Sequence, residues 1–265
     1  MNRRWRGAAA ALMTALALTM PALGAGVVAD GTVLEADQAW IDGGVSYITL
    51  QTYSALTSSA LEWEQGRARL TGEGLNLEAR PGQLYVTVND RALYVEGGVQ
   101  VVKGRMALPL RVVAQATGAD LRWDSATATA ALNTRGAKPA GAAYSEEDLY
   151  WLSRVISAES RGEPLLGQIA VGNVVLNRVK SSQFPNTIRG VVFDKKNGVQ
   201  FEPVSNGTIY DTPTESALLA AKLCLEGADV VGESLYFFAP ALSAGTWIVE
   251  NRSYHTTIGC HRFYR

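Results

Sequence analysis

Apolar positions fall into three regimes along the chain. From Ala8 to Met20 they run almost without a break. Between residues 26 and 133 they come in short runs separated by Gly, Asn and Asp, the pattern of strands joined by turns. From Tyr144 onward many recur at spacings of three and four, broken by Gly and Pro, the pattern of helices. Ser145 with Asp148 opens the first predicted helix, whose stripe is Leu149, Leu152, Val155 and Ile156 and which Gly162 and Pro164 end. Pro164 opens a second, with Ile169, Ala170, Val174, Val175 and Val179 inward and Asn173 and Asn177 sharing a face. A short third helix is expected near Pro185-Asn186, and 197–211 reads as turn-rich. Thr212-Pro213-Thr214-Glu215 opens a fourth helix that Gly227 closes. Strands are expected at Ser234–Ala239 and Ile258–Tyr264, the latter with His261 and Phe263 on one face.

The strand-rich stretch contains a repeat. A shift of sixty residues lays 28–72 on 88–132 without a gap, matching Val28/Val88, Asp30/Asp90, Gly44/Gly104, Leu50/Leu110, Thr57/Thr117, Leu61/Leu121, Trp63/Trp123 and Ala68/Ala128. Each copy is predicted to be a small unit of two or three strands, a helix and two strands. In the second copy the helix starts at Pro109 and ends at Gly118. Trp63 and Trp123 read as core residues at equivalent positions, in preference to sugar-stacking platforms. The segment 133–143 lacks large apolar side chains and reads as a linker.

Composition narrows the function. A chain of 265 residues suggests about two domains. With 24 Lys+Arg against 25 Asp+Glu, it lacks the basic excess of a nucleic-acid binder. Two histidines, His255 and His261, exclude a three-His zinc site. Arg3, Arg4 and Arg6 precede the apolar run 8–20, and small residues follow it at Ala22 and Gly24. Residues 1–24 are therefore expected to be an export signal, with an uncleaved anchor as the alternative. Removing them leaves 21 basic residues against 25 acidic ones. Outside the cytoplasm Cys224 and Cys260 could pair; alternatively Cys224 is a small buried hydrophobe on a helix.

Continuing the first helical stripe by three or four residues places Glu159 on the inward side near the helix's last turn. Burial and a helix C-terminus both disfavour an anion there, so its pKa should rise, as a general acid for glycoside cleavage requires. The pattern also allows a Glu159 that reaches water or pairs with Arg161 or Arg178.

Two family resemblances sharpen this reading. The run from Met106 to Asp124 resembles the copper amine oxidase N-terminal-like domain of exported bacterial wall proteins; residues 25–143 hold no His or Cys, so copper is not expected. From Ser145 to Arg265 the chain resembles the SleB-type cell wall hydrolases, the spore cortex-lytic enzymes and their relatives. The matching segments are Ile156–Pro164, Gly167–Val179, Phe184–Ile188, Gln200-Phe201 with Val204, Asn206 and Gly207, Leu235–Phe238, and Ile258-Gly259 with His261 and Phe263. The N-terminal half does not resemble the helical wall-binding module often joined to that family.

The resemblance implies an α+β organisation. It comprises a signal at 1–24, a small duplicated domain at 25–132, a linker at 133–143 and a catalytic domain at 144–265 related to lysozyme and lytic transglycosylases. It implies cleavage of the β-1,4 bond after N-acetylmuramic acid in peptidoglycan, with Glu159 as acid and then base, and no cofactor or metal. Gln200, Phe201, Tyr236, His261 and Asn177 are expected substrate contacts. Glu163 and Glu202 are the nearby carboxylates, read as a helix-starting acid and a solvated loop charge. Alternatives are a wall-binding protein without activity and a cysteine peptidase, which needs an activated Cys beside a His.

Overall fold

The computed structural model describes residues 26–196 and 200–265. The expected export signal lies outside the described residues. Among those described, no helix is long and apolar enough to cross a membrane.

The first repeat comprises β1 (Gly26–Ala29), β2 (Thr32–Val33), β3 (Ala39–Asp42), β4 (Val45–Thr49), α1 (Leu50–Thr57), β5 (Ala60–Glu64) and β6 (Arg67–Gly72). One strand, β7 (Leu75–Ala79), stands between the copies. The second comprises β8 (Tyr85–Val88), β9 (Arg91–Tyr94), β10 (Gln100–Val102), β11 (Arg105–Pro109), α2 (Leu110–Thr117), β12 (Asp120–Asp124) and β13 (Thr129–Asn133). The duplication is thus structural, element for element, with four strands before each helix where two or three were expected. The strand missed in the second copy, β11, has Pro109 at its end, and that residue both finishes the strand and caps α2. At the equivalent cap of α1 the Thr49 hydroxyl accepts from the Thr52 N–H at 3.1 Å. Both helices end on a left-handed residue, Ser58 and Gly118.

The copies are interlocked. β4 and β11 pair antiparallel with Ile48 opposite Leu108, the same position in each repeat, so a local two-fold passes between two fully buried side chains. The last strand of the second copy, β13, lies parallel to β1. At the other end β6 reaches β8 only through β7, giving the sheet order β5-β6-β7-β8-β9. Trp63 and Trp123 overturn the core expectation: they are 60% and 57% exposed. Leu61 and Leu121, two residues earlier on the same strand faces, pack against the core. The tryptophans stand past its edge, opposite Ala68 and Ala130.

The second half is built on α3 (Glu146–Ser160), α4 (Leu165–Lys180), α5 (Ile188–Val192), α6 (Glu202–Asn206) and α7 (Glu215–Leu225), followed by β14 (Tyr236–Phe238), α8 (Thr246–Asn251), β15 (Tyr254–Ile258) and β16 (His261–Tyr264). The turn-rich stretch therefore contains α6 and a 3₁₀ turn at Thr208–Tyr210, and the expected terminal strand is a hairpin. In that hairpin Gly259 takes the left-handed turn position, with φ +59. α3, α4 and α7 share one core. Their approach depends on Gly172, where a Cβ would stand 2.6 Å from Cys224 Sγ and 2.8 Å from Ile156 Cδ1. The sheet order is β14-β16-β15, and Phe263 packs on Ala170, Val174 and Val231.

The halves meet through a buried contact. Arg91 on β9 donates from Nε and Nη2 to both carboxylate oxygens of Glu226 at 2.8 and 2.6 Å. Their side chains are 7% and 5% exposed. Arg91 also donates to the Gln115 and Ala140 carbonyls, so the expected linker is pinned where it passes. Thr134 is likewise held by Asp30.

Candidate active site

α3 positions Glu159. Ser145 caps the helix, its hydroxyl accepting from the Asp148 N–H at 3.0 Å. Leu152, Val155 and Ile156 are fully buried, which fixes the helix's rotation and brings Glu159, one turn on from Val155, to the rim of the core. Its carboxyl group is half-buried and pushed up to about 7, first by burial and then by the charge of Glu202; Arg178 opposes both. The pairing of Glu159 with Arg161 or Arg178 that the sequence also allowed is absent among the ion pairs of the described residues. Glu202 opens α6 and is exposed, as expected of a solvated charge, yet close enough to act on Glu159.

Arg178, in the last turn of α4, is buried. Its Nε donates to the Leu235 carbonyl at 2.8 Å, while its buried Nη1 finds no hydrogen-bond partner among the described residues. The guanidinium carbon lies 5.0, 5.2 and 5.8 Å from the ring centroids of Phe184, Phe201 and Tyr236. Burial pulls its pKa down to about 10, against the pull of Tyr236, Asp194 and Glu159. Tyr236 is half-buried; its hydroxyl accepts from Arg252 Nη2 at 3.1 Å. Trp247 on α8, 54% exposed, meets the Tyr236 ring edge to face at 5.8 Å.

The other expected contacts are placed differently. Phe201 is 2% exposed, a core ring beneath Arg178 and not a surface platform. Asn177 spends its Nδ2 on the carbonyls of Gly232 and Ser234, at 2.6 and 3.0 Å. Asn173, on the same face, holds Ala228 O and the Val230 N–H. The two amides therefore clamp the loop that leads into β14. His261 is buried, with Nδ1 3.7 Å from Glu163 Oε1, and burial lowers its pKa against the pull of that carboxylate. Glu163 also accepts from the Cys260 N–H at 2.9 Å, so it ties α4 to the β15–β16 turn. Gln200 is half-buried beside Phe201.

Both cysteines are free. Cys224 is buried against Asn173 and the Ile169 carbonyl, and burial pushes its thiol far up. Cys260 is exposed in a turn, its thiol raised by a hydrogen bond to Glu163. Trp247 and Arg252, which meet Tyr236 and each other, were not foreseen. Their only sequence signal was an indole and a guanidinium in a stretch after Gly245 with no apolar stripe.

Comparisons with known proteins fit this division. The cell wall hydrolase family matches residues 162–264, starting just after Glu159, and the copper amine oxidase N-terminal domain matches 27–132. The spore cortex-lytic enzyme of Bacillus cereus is 42% identical over 120 residues, covering 45% of this chain and 45% of that protein. The chain thus spans about half the length of the curated relatives it matches at this level. The cell wall hydrolase CwlJ of Oceanobacillus iheyensis is 33% identical over 103 residues, 37% of this chain and 72% of that protein. The crystallised catalytic domain of the germination-specific lytic transglycosylase SleB from Bacillus anthracis is 40% identical, with TM-score 0.43. That match covers 48% of this chain and 100% of that one. With one relative matched over most of its length and the family matched from Gly162 to the penultimate residue, the chain belongs to the cell wall hydrolases.

Proposed function

We propose that this chain is an exported peptidoglycan-cleaving glycosidase that breaks the β-1,4 bond between N-acetylmuramic acid and N-acetylglucosamine, with Glu159 as its single acid and base. The observation that carries this reading is a half-buried carboxyl group held up to about 7 at the rim of the helical core. At neutral pH a large share of Glu159 is protonated and can donate. Glu159 gives its proton to the glycosidic oxygen as the C1–O4 bond breaks. The carboxylate then removes the proton of the muramyl 6-hydroxyl as O6 bonds to C1, which closes a 1,6-anhydro ring and restores the acid. One group serves both steps because its pKa lies near the working pH. Relatives named as spore cortex-lytic enzymes and a lytic transglycosylase support this chemistry and point to spore cortex as one form of the substrate.

A second outcome is favoured by one observation. Glu202 acts on Glu159, so a second carboxylate lies within electrostatic reach of the acid, and a water it activated would give reducing ends by hydrolysis. A thiol mechanism has no comparable support: Cys224 is sealed in the helical core and both thiols are raised. Mass spectrometry of fragments released from purified peptidoglycan and spore cortex tests the reading. Anhydro-muramyl ends that vanish with Glu159→Gln are the expected result. Reducing ends transfer the second step to water, and undiminished release by the variant removes Glu159 from the chemistry.

A further inference from the structure

We propose that Arg178, Tyr236, Arg252 and Trp247 form a carboxylate-reading subsite beside Glu159, which receives the acidic arm of a muramyl residue. The proposal rests on the glycosidase reading above and names what selects its substrate.

Two guanidinium groups converge on one phenol ring. The Arg178 carbon lies 5.8 Å and the Arg252 carbon 4.6 Å from the Tyr236 centroid. They come from different elements, the last turn of α4 and the residue ending α8. Neither makes an ion pair among the described residues. Each keeps one buried nitrogen without a hydrogen-bond partner among the described residues, Nη1 of Arg178 and Nε of Arg252. The remaining Arg252 donors are used locally, Nη2 on the Tyr236 hydroxyl and Nη1 on the Asn251 carbonyl at 3.2 Å. Gathering two cations around one ring and leaving donors unmet is costly in a lone protein. A carboxylate seated against the pair offsets both charges, and a turn of the side chains toward it would give the two buried nitrogens a partner.

The sugar face has its own platform. Trp247 leaves more than half its surface open, with the Arg252 guanidinium carbon 4.8 Å from its ring centroid, so an exposed indole and a cation stand side by side. Indole faces take the apolar side of a pyranose, and the flanking guanidinium reads what the ring carries. A glycan of N-acetylglucosamine alone offers no carboxylate. A muramyl residue offers one, either on its free lactyl ether or on the peptide attached there. Glu159 lies within electrostatic reach of Arg178, so an arm seated on the pair would orient the muramyl ring toward the acid.

Binding is measured on the Glu159→Gln protein, so that no cleavage intervenes. The probes are peptide-free muramyl glycan strands, peptide-bearing strands and an N-acetylglucosamine hexamer. Arg252→Ala is expected to weaken binding of a muramyl ligand by about tenfold or more, the scale of a charged hydrogen bond, and to leave the hexamer within about twofold. Arg252→Lys should recover part of the loss. Loss on peptide-free strands identifies the lactyl carboxylate, and loss confined to peptide-bearing strands identifies the peptide's. Unchanged binding of both muramyl ligands, equal weakening of all three probes, or no binding of any probe overturns the subsite. Wild-type cleavage of peptidoglycan, assayed in parallel, tests the glycosidase reading separately.

Discussion

Glu159→Gln should make the protein more stable while abolishing its chemistry, and the gain should depend on pH in a set way. Moving a carboxyl group from its ordinary 4.5 to about 7 disfavours the ionised form in the fold by about 3 kcal/mol. Glutamine keeps the shape of the protonated acid and cannot ionise. Below pH 4.5 both states of the wild type hold the proton, and the two proteins should be equally stable. Between 4.5 and about 7 the unfolded chain has lost the proton while the fold retains it, so wild-type stability falls relative to the variant as pH rises. Above about 7 the gap is complete, at about 2–3 kcal/mol once the partial water contact of Glu159 is allowed for. Urea unfolding followed by circular dichroism at pH 4, 6 and 8 measures it, alongside fragment release at the same pH values. A gap that is flat across pH, or a variant less stable at pH 8, would refute the account of Glu159 as a carboxyl group held protonated by its surroundings.

Glu202→Gln removes the charge that helps raise Glu159, so the alkaline limb of the pH–rate profile should move to lower pH; a limb that stays in place or moves up rejects that coupling. Arg91→Ala leaves Glu226 buried without its partner and should cost about 3–5 kcal/mol in denaturant unfolding, whereas a loss below about 1 kcal/mol would mean the pair is solvated in practice. Thiol labelling of the native protein should modify Cys260 and spare Cys224 until the fold opens; equal labelling of both contradicts the buried, raised Cys224 thiol.

Helix periodicity carried Glu159, because the stripe Leu152, Val155, Ile156 fixes one face and chain spacing does the rest. Internal repetition carried the outline of the first half, one helix per copy with matched ends at Ser58 and Gly118, but not the fourth strand before each helix or β7 between the copies. What stayed hidden depends on contacts between distant segments. Nothing local marks Asn177 as a clamp on Gly232 and Ser234, or His261 as the neighbour of Glu163. Phe201 drew notice as an aromatic near the site, yet burial turned it into the floor under Arg178. The tryptophans failed for the opposite reason: their residue type predicts burial, and their position at the end of a hairpin withholds it.

The crossing of β13 onto β1 bears on how the first half comes to be made. Gly26 waits for Thr129, so its first strand stays unpaired on that edge until nearly the whole domain has left the ribosome. Neither copy closes alone: each lends its terminal hairpin to a sheet that the other begins. Expressed as separate peptides, the two copies would have to find each other in solution as a pair around the Ile48–Leu108 axis, at a rate set by their concentration. Joining them in one chain makes that encounter intramolecular, and β7 is the added strand that lets the second sheet close across the join.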